Sequence, residues 1–153
     1  MDATLDALRS YWAEWNIRPN VGATEAELSA HEARYGLGLS PDLRAYFRAV
    51  NGMAVGAGGK LVMDDDLICF YPLKECRPLI IESPDTAVPD AAHFLFFADY
   101  SIRIWDYAVW LGDGPGAGSV HVIYDPDTVK VADTFQEFLE SYVRRDYAVT
   151  YPR

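Results

Sequence analysis

The sequence has little cysteine, few basic residues and no long apolar run, and each of these scarcities excludes a class of protein. Cys69 and Cys76 are its two cysteines. Two cysteines cannot define a disulfide framework, and the six residues between them, which include Pro72, fit no common zinc-ligand spacing. We therefore predict two buried free thiols.

Apolar segments of membrane-spanning length are also missing. A transmembrane helix needs about 20 consecutive apolar residues, and no run in the 153 residues approaches that length. The first residues, Met1 to Thr4, lack the basic and then apolar character of a signal peptide. These features predict a protein without a membrane partner and with a cytoplasmic location.

Positive charge is scarce: 13 Lys and Arg face 23 Asp and Glu, which gives a net charge of −10 and a pI near 4.6. Nucleic acid and anionic lipid are bound through Lys and Arg that neutralise phosphate, so neither is an expected partner. Two interpretations of the acidity stay open. It keeps the domain soluble, or it meets a partner with a basic surface, where complementary fields speed association.

Hydrophobic and aromatic residues, in contrast, are plentiful. They make up 50% and 14% of the chain, which indicates a globular protein, and the length predicts a single domain over residues 1–153.

Apolar residues recur at helical spacing in four places. The predicted helices cover 5–15, 24–35 with a capping box at its start, 40–50 with a stop at Asn51-Gly52, and a closing segment that begins at Asp133 or Thr134.

Strand-length apolar runs separate the third helix from the closing one. The residues from Phe94 to Ala98 are apolar at every position, which places them centrally in a sheet that is covered on both faces. This order of elements predicts an α+β fold, in which N-terminal helices and a C-terminal helix pack on a mostly antiparallel sheet. The predicted strands cover 61–63, 67–71, 94–98, 102–111, 120–124 and 129–131.

Two segments resemble ligand-binding loops in composition but lack the spacing or context that binding requires. The glycine-rich segment from Gly112 to Gly118 is followed by a strand, whereas a phosphate cradle requires a helix, and Asp113 would repel phosphate. The triplet Asp64-Asp65-Asp66 lacks the alternate spacing of oxygen ligands that a calcium loop needs. We interpret the triplet as a solvated hairpin tip, with a partner contact as the alternative.

No nucleophile with its base is recognisable. The histidines His31, His93 and His121 lie in three different predicted elements and in no catalytic motif. We therefore predict no catalytic residue, no metal and no cofactor, and a protein that is not an enzyme. One alternative stays open, a small hydrolase or ligand-binding domain that uses carboxylates, because acidic pairs can come together in three dimensions.

Two sets of segments, taken in order along the chain, carry a family resemblance. The first set is Glu32, Tyr35-Gly36-Leu37, Leu39-Ser40-Pro41-Asp42-Leu43, Tyr46-Phe47 and Asn51-Gly52. The second set is Phe96 to Asp99 and the closing Val131 to Leu139. Together they resemble the SUKH superfamily of Smi/Knr-like domains.

The resemblance implies an α+β fold and a protein-binding role. The implied function is that of a bacterial immunity protein that neutralises a cognate polymorphic toxin, often a nuclease, and the partner we predict is a toxin with a basic surface. The alternative is a Smi/Knr-like regulatory adaptor that binds another protein. The shared positions have the character of core and helix caps, so the resemblance transfers no binding residue.

Contact residues must therefore be chosen by chemistry. Interfaces are rich in aromatic and charged side chains, and predicted loops and strand ends carry both. The candidate partner-binding residues are Asp64, Asp65, Asp66, Asp99, Tyr100, Trp105, Asp106, Tyr107 and Asp113.

Overall fold

The computed structural model describes residues 1–152. Within them the chain forms six α-helices, several single turns of 3-10 helix and one five-stranded sheet. The helices are α1 (Asp2–Glu14), α2 (Glu25–Tyr35), α3 (Pro41–Ala49), α4 (Leu79–Glu82), α5 (Phe135–Val143) and α6 (Tyr147–Thr150). The strands are β1 (Ile68–Phe70), β2 (Phe94–Tyr100), β3 (Trp105–Trp110), β4 (Val120–Tyr124) and β5 (Asp127–Ala132).

Each strand pairs with the next one along the chain, always antiparallel, so the sheet has the order β1-β2-β3-β4-β5. Helices α1, α3 and α5 contribute their apolar faces to a core shared with one face of this sheet. The predicted α+β fold, with N-terminal and C-terminal helices on an antiparallel sheet, is confirmed.

Aromatic rings fill the core between the helices and the sheet. Phe97 of β2 contacts Phe138 of α5 edge-on, with ring centroids 5.3 Å apart. Trp12 of α1 packs at 5.5 Å from Phe70 of β1 and donates its indole N–H to the Tyr142 hydroxyl at 3.0 Å. Edge-to-face contacts of this kind add stability beyond the apolar area that they bury.

The opposite face of the sheet is covered by a smaller cluster. Leu79 of α4 and Val88 pack there against Phe94 of β2 and Ala108 of β3. This second layer explains why every position of the 94–98 segment is apolar. The strand is interior but lies second in the sheet, whereas β3 is the central strand.

One predicted strand is absent and another is shorter than predicted. Residues 61–63 form no strand; they lead into a turn in which the Asp64 N–H donates to the Ile68 carbonyl at 3.0 Å. The segment predicted as a strand from Ile102 begins pairing only at Trp105. The residues before it, 101–103, have φ angles of 46°, 57° and 66°, which are left-handed and cannot extend a strand.

The start of α2 has the capping interactions expected from its sequence, whereas the start of α3 lacks a side-chain cap. The capping box of α2 is present: Thr24 Oγ1 accepts the Glu27 N–H at 3.1 Å, and the Glu27 carboxylate accepts the Thr24 N–H at 2.9 Å. Ser40, in contrast, does not cap α3 through its side chain and donates to Asp42 Oδ1 at 2.7 Å. The other carboxylate oxygen of Asp42 accepts the Gln136 N–H at 2.9 Å, so it links the starts of α3 and α5.

The end of α3 is joined to β1 through Asn51 and Gly52. The Asn51 Oδ1 accepts the Leu73 N–H at 2.8 Å, and its Nδ2 donates to the Val21 carbonyl at 3.2 Å. Gly52 has φ +76°, and a Cβ placed there would lie 2.6 Å from the Tyr71 carbonyl oxygen. Only glycine satisfies both the backbone conformation and the close approach.

Gly52→Ala therefore combines two penalties. The left-handed conformation costs about 1–2 kcal/mol for a residue with a Cβ, and the backbone overlap adds about 1–3 kcal/mol. Gly36→Ala is the matched control, because Gly36 also ends a helix at φ +65° but has nothing within 4 Å of its Cβ position. Urea unfolding should show the larger loss at Gly52, and equal losses would contradict the role of the contact.

Candidate protein-binding surface

One end of the sheet gathers most of the predicted contact residues. Two turns lie there, the β2–β3 turn at 101–104 and the β4–β5 turn at 125–126, together with the segment 64–67 that enters β1. The Ser101 N–H donates to the Leu67 carbonyl at 2.8 Å, which joins the first of these turns to that segment. We refer to residues 64–67, 99–106 and 124–127 as the turn end.

The acidic triplet is mostly internal. Asp64 is buried: its Oδ1 accepts the N–H groups of Asp66 and Ile68, each at 2.9 Å, and its other oxygen accepts the Tyr142 hydroxyl. Asp66 is buried too, in an ion pair with Arg145 at 2.7 Å. The interpretation as a solvated hairpin tip is therefore wrong, and Asp65 is the triplet's exposed member.

Asp99 and Asp106 face each other across β2 and β3. Asp99 is 1% exposed and accepts the Tyr71 hydroxyl at 2.9 Å, while Asp106 binds Arg103 at 2.8 Å. Burial raises the pKa of both carboxyls above the ordinary value. A glycosidase-type pair needs both acids at an open cavity, whereas Asp99 is enclosed, so the two carboxylates act as part of the turn's internal support.

The aromatic candidates also differ in burial: two are half-buried and one is fully buried. Tyr100 and Trp105 are half-buried and stack across β2 and β3 with ring centroids 3.9 Å apart and an interplanar angle of 6°. Tyr151 packs on Tyr100 at 5.7 Å. Tyr107 is fully buried and donates its hydroxyl to the Val149 carbonyl at 2.8 Å, so it belongs to the core and not to a surface.

Asp113 is exposed, but it lies in the β3–β4 loop at the opposite end of the sheet. Gly118 of the same loop lies close to Ser40 at the start of α3. The structure therefore brings seven of the nine candidates to the turn end, buries Tyr107 in the core nearby, and separates Asp113 from the others.

Sequence reasoning missed four exposed isoleucines in and beside the turn end. Ile102 and Ile104 are on the β2–β3 turn, and Ile80 and Ile81 are on the short helix α4. The alternation of Ile102, Arg103 and Ile104 resembles a strand with one apolar face, which concealed the turn. Isoleucine is among the residues most often buried, so an exposed set of four is a signal that appears only once the burial is known.

A groove beside α2 was also missed, because three distant segments form it. It has a volume of about 540 Å³, and its walls include Val21, Tyr35, Leu73 and Lys74. His31 also lines it; its Nε2 is 2.8 Å from the Cys76 carbonyl oxygen, and burial lowers its pKa. This histidine thus links α2 to the segment around Cys76.

The cysteines are free and buried, as predicted. Burial raises the pKa of the Cys69 thiol to about 12 and that of Cys76 well above its usual range.

Among residues 1–152, no group of three or more His, Cys, Asp or Glu side chains is arranged to hold a metal ion. None of the helices in this part of the chain has the length and apolar character needed to cross a bilayer.

The comparison with known families decides the relationship of the chain. The model of the SMI1 / KNR4 family, SUKH-1, matches residues 22–141. The chain belongs to this family. No curated protein is similar enough to count as a match.

The SUKH-1 region covers the whole sheet, helices α2 to α4 and most of α5. Glu32, one of the residues that carry the resemblance, has a structural role: its carboxylate accepts the Leu39 N–H at 2.8 Å and pairs with Arg44 of α3. Glu32 thereby fixes the turn between α2 and α3. Helices α1 and α6 lie outside the SUKH-1 match, although both contribute buried residues to the core.

The burial of Asp99 in this SUKH-1 domain predicts a pH effect on stability. Since its folded-state pKa is raised above 3.8, the protonated carboxyl stabilises the fold at low pH, and this contribution is lost as the pH rises through the raised value. Asp99→Asn stays neutral at every pH. Its free energy of unfolding should therefore increase relative to wild type between about pH 4 and pH 7.

Urea unfolding of both proteins across that pH range measures the difference, in which the other titrating groups largely cancel. Tyr71→Phe provides a second variant, because loss of the hydroxyl donor raises the pKa of Asp99 further and should steepen the decline of stability with pH. A difference between Asp99→Asn and wild type that stays constant with pH would contradict the effect.

Proposed function

We propose that this protein is a non-catalytic protein-binding domain of the bacterial immunity type, which neutralises a cognate toxin that has a basic surface, such as a nuclease. Membership of the SUKH-1 family supports a binding role, and the charge of the chain supports the chemistry of the partner. The proposal concerns the toxin's class and not its sequence.

The observation that carries the proposal is the distribution of unpaired acid. Seven basic side chains are used in ion pairs with the protein's own carboxylates. Many exposed carboxylates have no basic partner within the described residues 1–152. They include Asp2, Glu14, Asp85, Asp90, Asp113, Asp125 and Asp127. The acidic field is therefore presented to the solvent and is not neutralised internally.

An acidic surface suits the neutralisation of a nuclease. Enzymes that act on nucleic acid bind phosphate through Lys and Arg, and a protein that presents carboxylates competes for the same groups. Charge complementarity of this kind raises the association rate and excludes partners of like charge. Occupation of the phosphate-binding surface is sufficient for inhibition, so the immunity protein needs no catalytic group.

The genetic neighbourhood and a rescue experiment test the proposal. We expect a gene for a large secreted protein with a C-terminal toxin domain beside this one, and we expect co-expression of the two to restore growth that the toxin domain alone abolishes. A regulatory adaptor would have no such neighbour. Absence of rescue, together with no complex at low salt, would reject the immunity function.

Charge reversal tests the electrostatic part separately. Asp125→Lys with Asp127→Lys changes two exposed carboxylates of the turn end that have no basic partner, and we expect the association rate constant with the toxin domain to fall by about tenfold at low salt. Its dependence on salt should also become flatter. Stopped-flow association kinetics over a salt series provide the measurement.

The control for charge reversal is Asp113→Lys, which alters an exposed carboxylate at the opposite end of the sheet. The control reverses one charge and the double variant reverses two. Per reversed charge, the control should slow association less than the double variant does. Equal effects at the two ends would show that only the net charge matters and that the turn end has no special place in the encounter.

A further inference from the structure

Four isoleucines lie exposed on two neighbouring segments. Ile102 is 74% and Ile104 66% exposed on the β2–β3 turn, and Ile80 and Ile81 are 41% and 50% exposed on α4. They are four of the seven isoleucines in the chain, a residue type that proteins usually bury. Scattered single apolar residues need no explanation, but a group on adjoining segments does.

One arginine holds these two segments together. Arg103, between the exposed pair on the turn, forms ion pairs with Glu82 at the end of α4 and with Asp106 of β3. Its guanidinium also lies over the Phe96 ring, 4.8 Å from the centroid. The turn is therefore fixed to α4 and to the sheet, and its isoleucines are presented on a rigid support. Rigid apolar residues lose little entropy on binding.

The conformation of the turn opposes local stability. Ile102 has φ +57°, between two other left-handed residues at 46° and 66°. A β-branched residue in this region is a genuine outlier and strains the backbone. A glycine would adopt the same conformation without strain. Position 102 thus carries a side chain that the fold itself does not favour and that is not buried.

The charges around the isoleucines specify the kind of partner. Asp125 lines the same hollow as Ile104, and Asp85 and Asp127 are exposed on the adjoining segments. Arg103 is neutralised by its two carboxylates. A second copy of this chain would bring another net charge of −10 against the same acidic rim, which opposes self-association.

We propose that Ile80, Ile81, Ile102 and Ile104, here called the isoleucine surface, form the apolar centre of the interface with a basic protein partner, whose Lys and Arg side chains meet the acidic rim. This inference rests on the proposed function and goes further by assigning the site. An apolar centre surrounded by charged residues is the usual arrangement of a protein interface, with the binding energy concentrated in the centre.

Ile102→Gly separates binding from stability, because the two are expected to change in opposite directions. Removal of the side chain should weaken binding of the inactivated toxin domain encoded by the neighbouring gene at least about tenfold. Relief of the left-handed strain should raise the melting temperature by about 2 °C. Titration calorimetry of the full chain measures the first effect and differential scanning calorimetry the second.

Ile104→Ser is the second variant, since it removes an exposed side chain from a residue without that strain, and it too should weaken binding about tenfold. Val21→Ser is the matched control: Val21 is a β-branched residue, 90% exposed, in the loop before α2. Its replacement should leave the affinity for the toxin domain unchanged.

The outcomes distinguish the inference from the function on which it rests. If wild type binds the toxin domain and the isoleucine variants bind equally well, the isoleucine surface is not the interface, although the immunity function stands. If wild type does not bind, both are overturned. If sedimentation shows a dimer that Ile102→Gly dissociates, the occupant is a second copy of the chain and the assignment to a basic partner is wrong.

Discussion

Gly52 approaches the carbonyl of Tyr71 so closely that the two backbones leave no room for a side chain, and the position of β1 depends on this contact. The strand has only three residues and one partner strand, so its own hydrogen bonds hold it weakly. Asn51 adds bonds to Leu73 and to Val21, and these unite the end of α3 with two other segments. The entry to the turn end, at residues 64–67, is continuous with the strand that this junction holds.

The prediction from sequence succeeded where the determinants are local. The capping box at Thr24 and the glycine at the end of α2 act within a few residues of the chain, and the helix they delimit was found with nearly correct bounds. The Asn51-Gly52 stop was equally readable. The antiparallel character of the sheet was also predicted, and the observed strand order is the simplest one, because each strand pairs with its neighbour in sequence and needs no crossover.

The prediction failed where residues distant in sequence determine the burial or the backbone conformation of a segment. Asp64 follows a loop and reads as a solvated charge, but the hydroxyl that binds it belongs to Tyr142, 78 positions later. The strand predicted from Ile102 fails for the same reason, because the left-handed turn is secured by Arg103 through Glu82, 21 positions earlier. Alternation of apolar and polar residues cannot report such partners, so the sequence could not separate the buried members of the candidate set from the exposed ones.

The turn at residues 101–104 has a consequence for how partner specificity could change over time. Its exposed isoleucines add little to the core, and an ion pair of Arg103 with Glu82 anchors it to α4. Substitutions at positions 102 and 104 would therefore change the exposed side chains of the turn at small cost to folding. In the interface that we propose, the residues that meet the partner and the residues that maintain the fold are different ones, so the contact surface can change while the core stays the same.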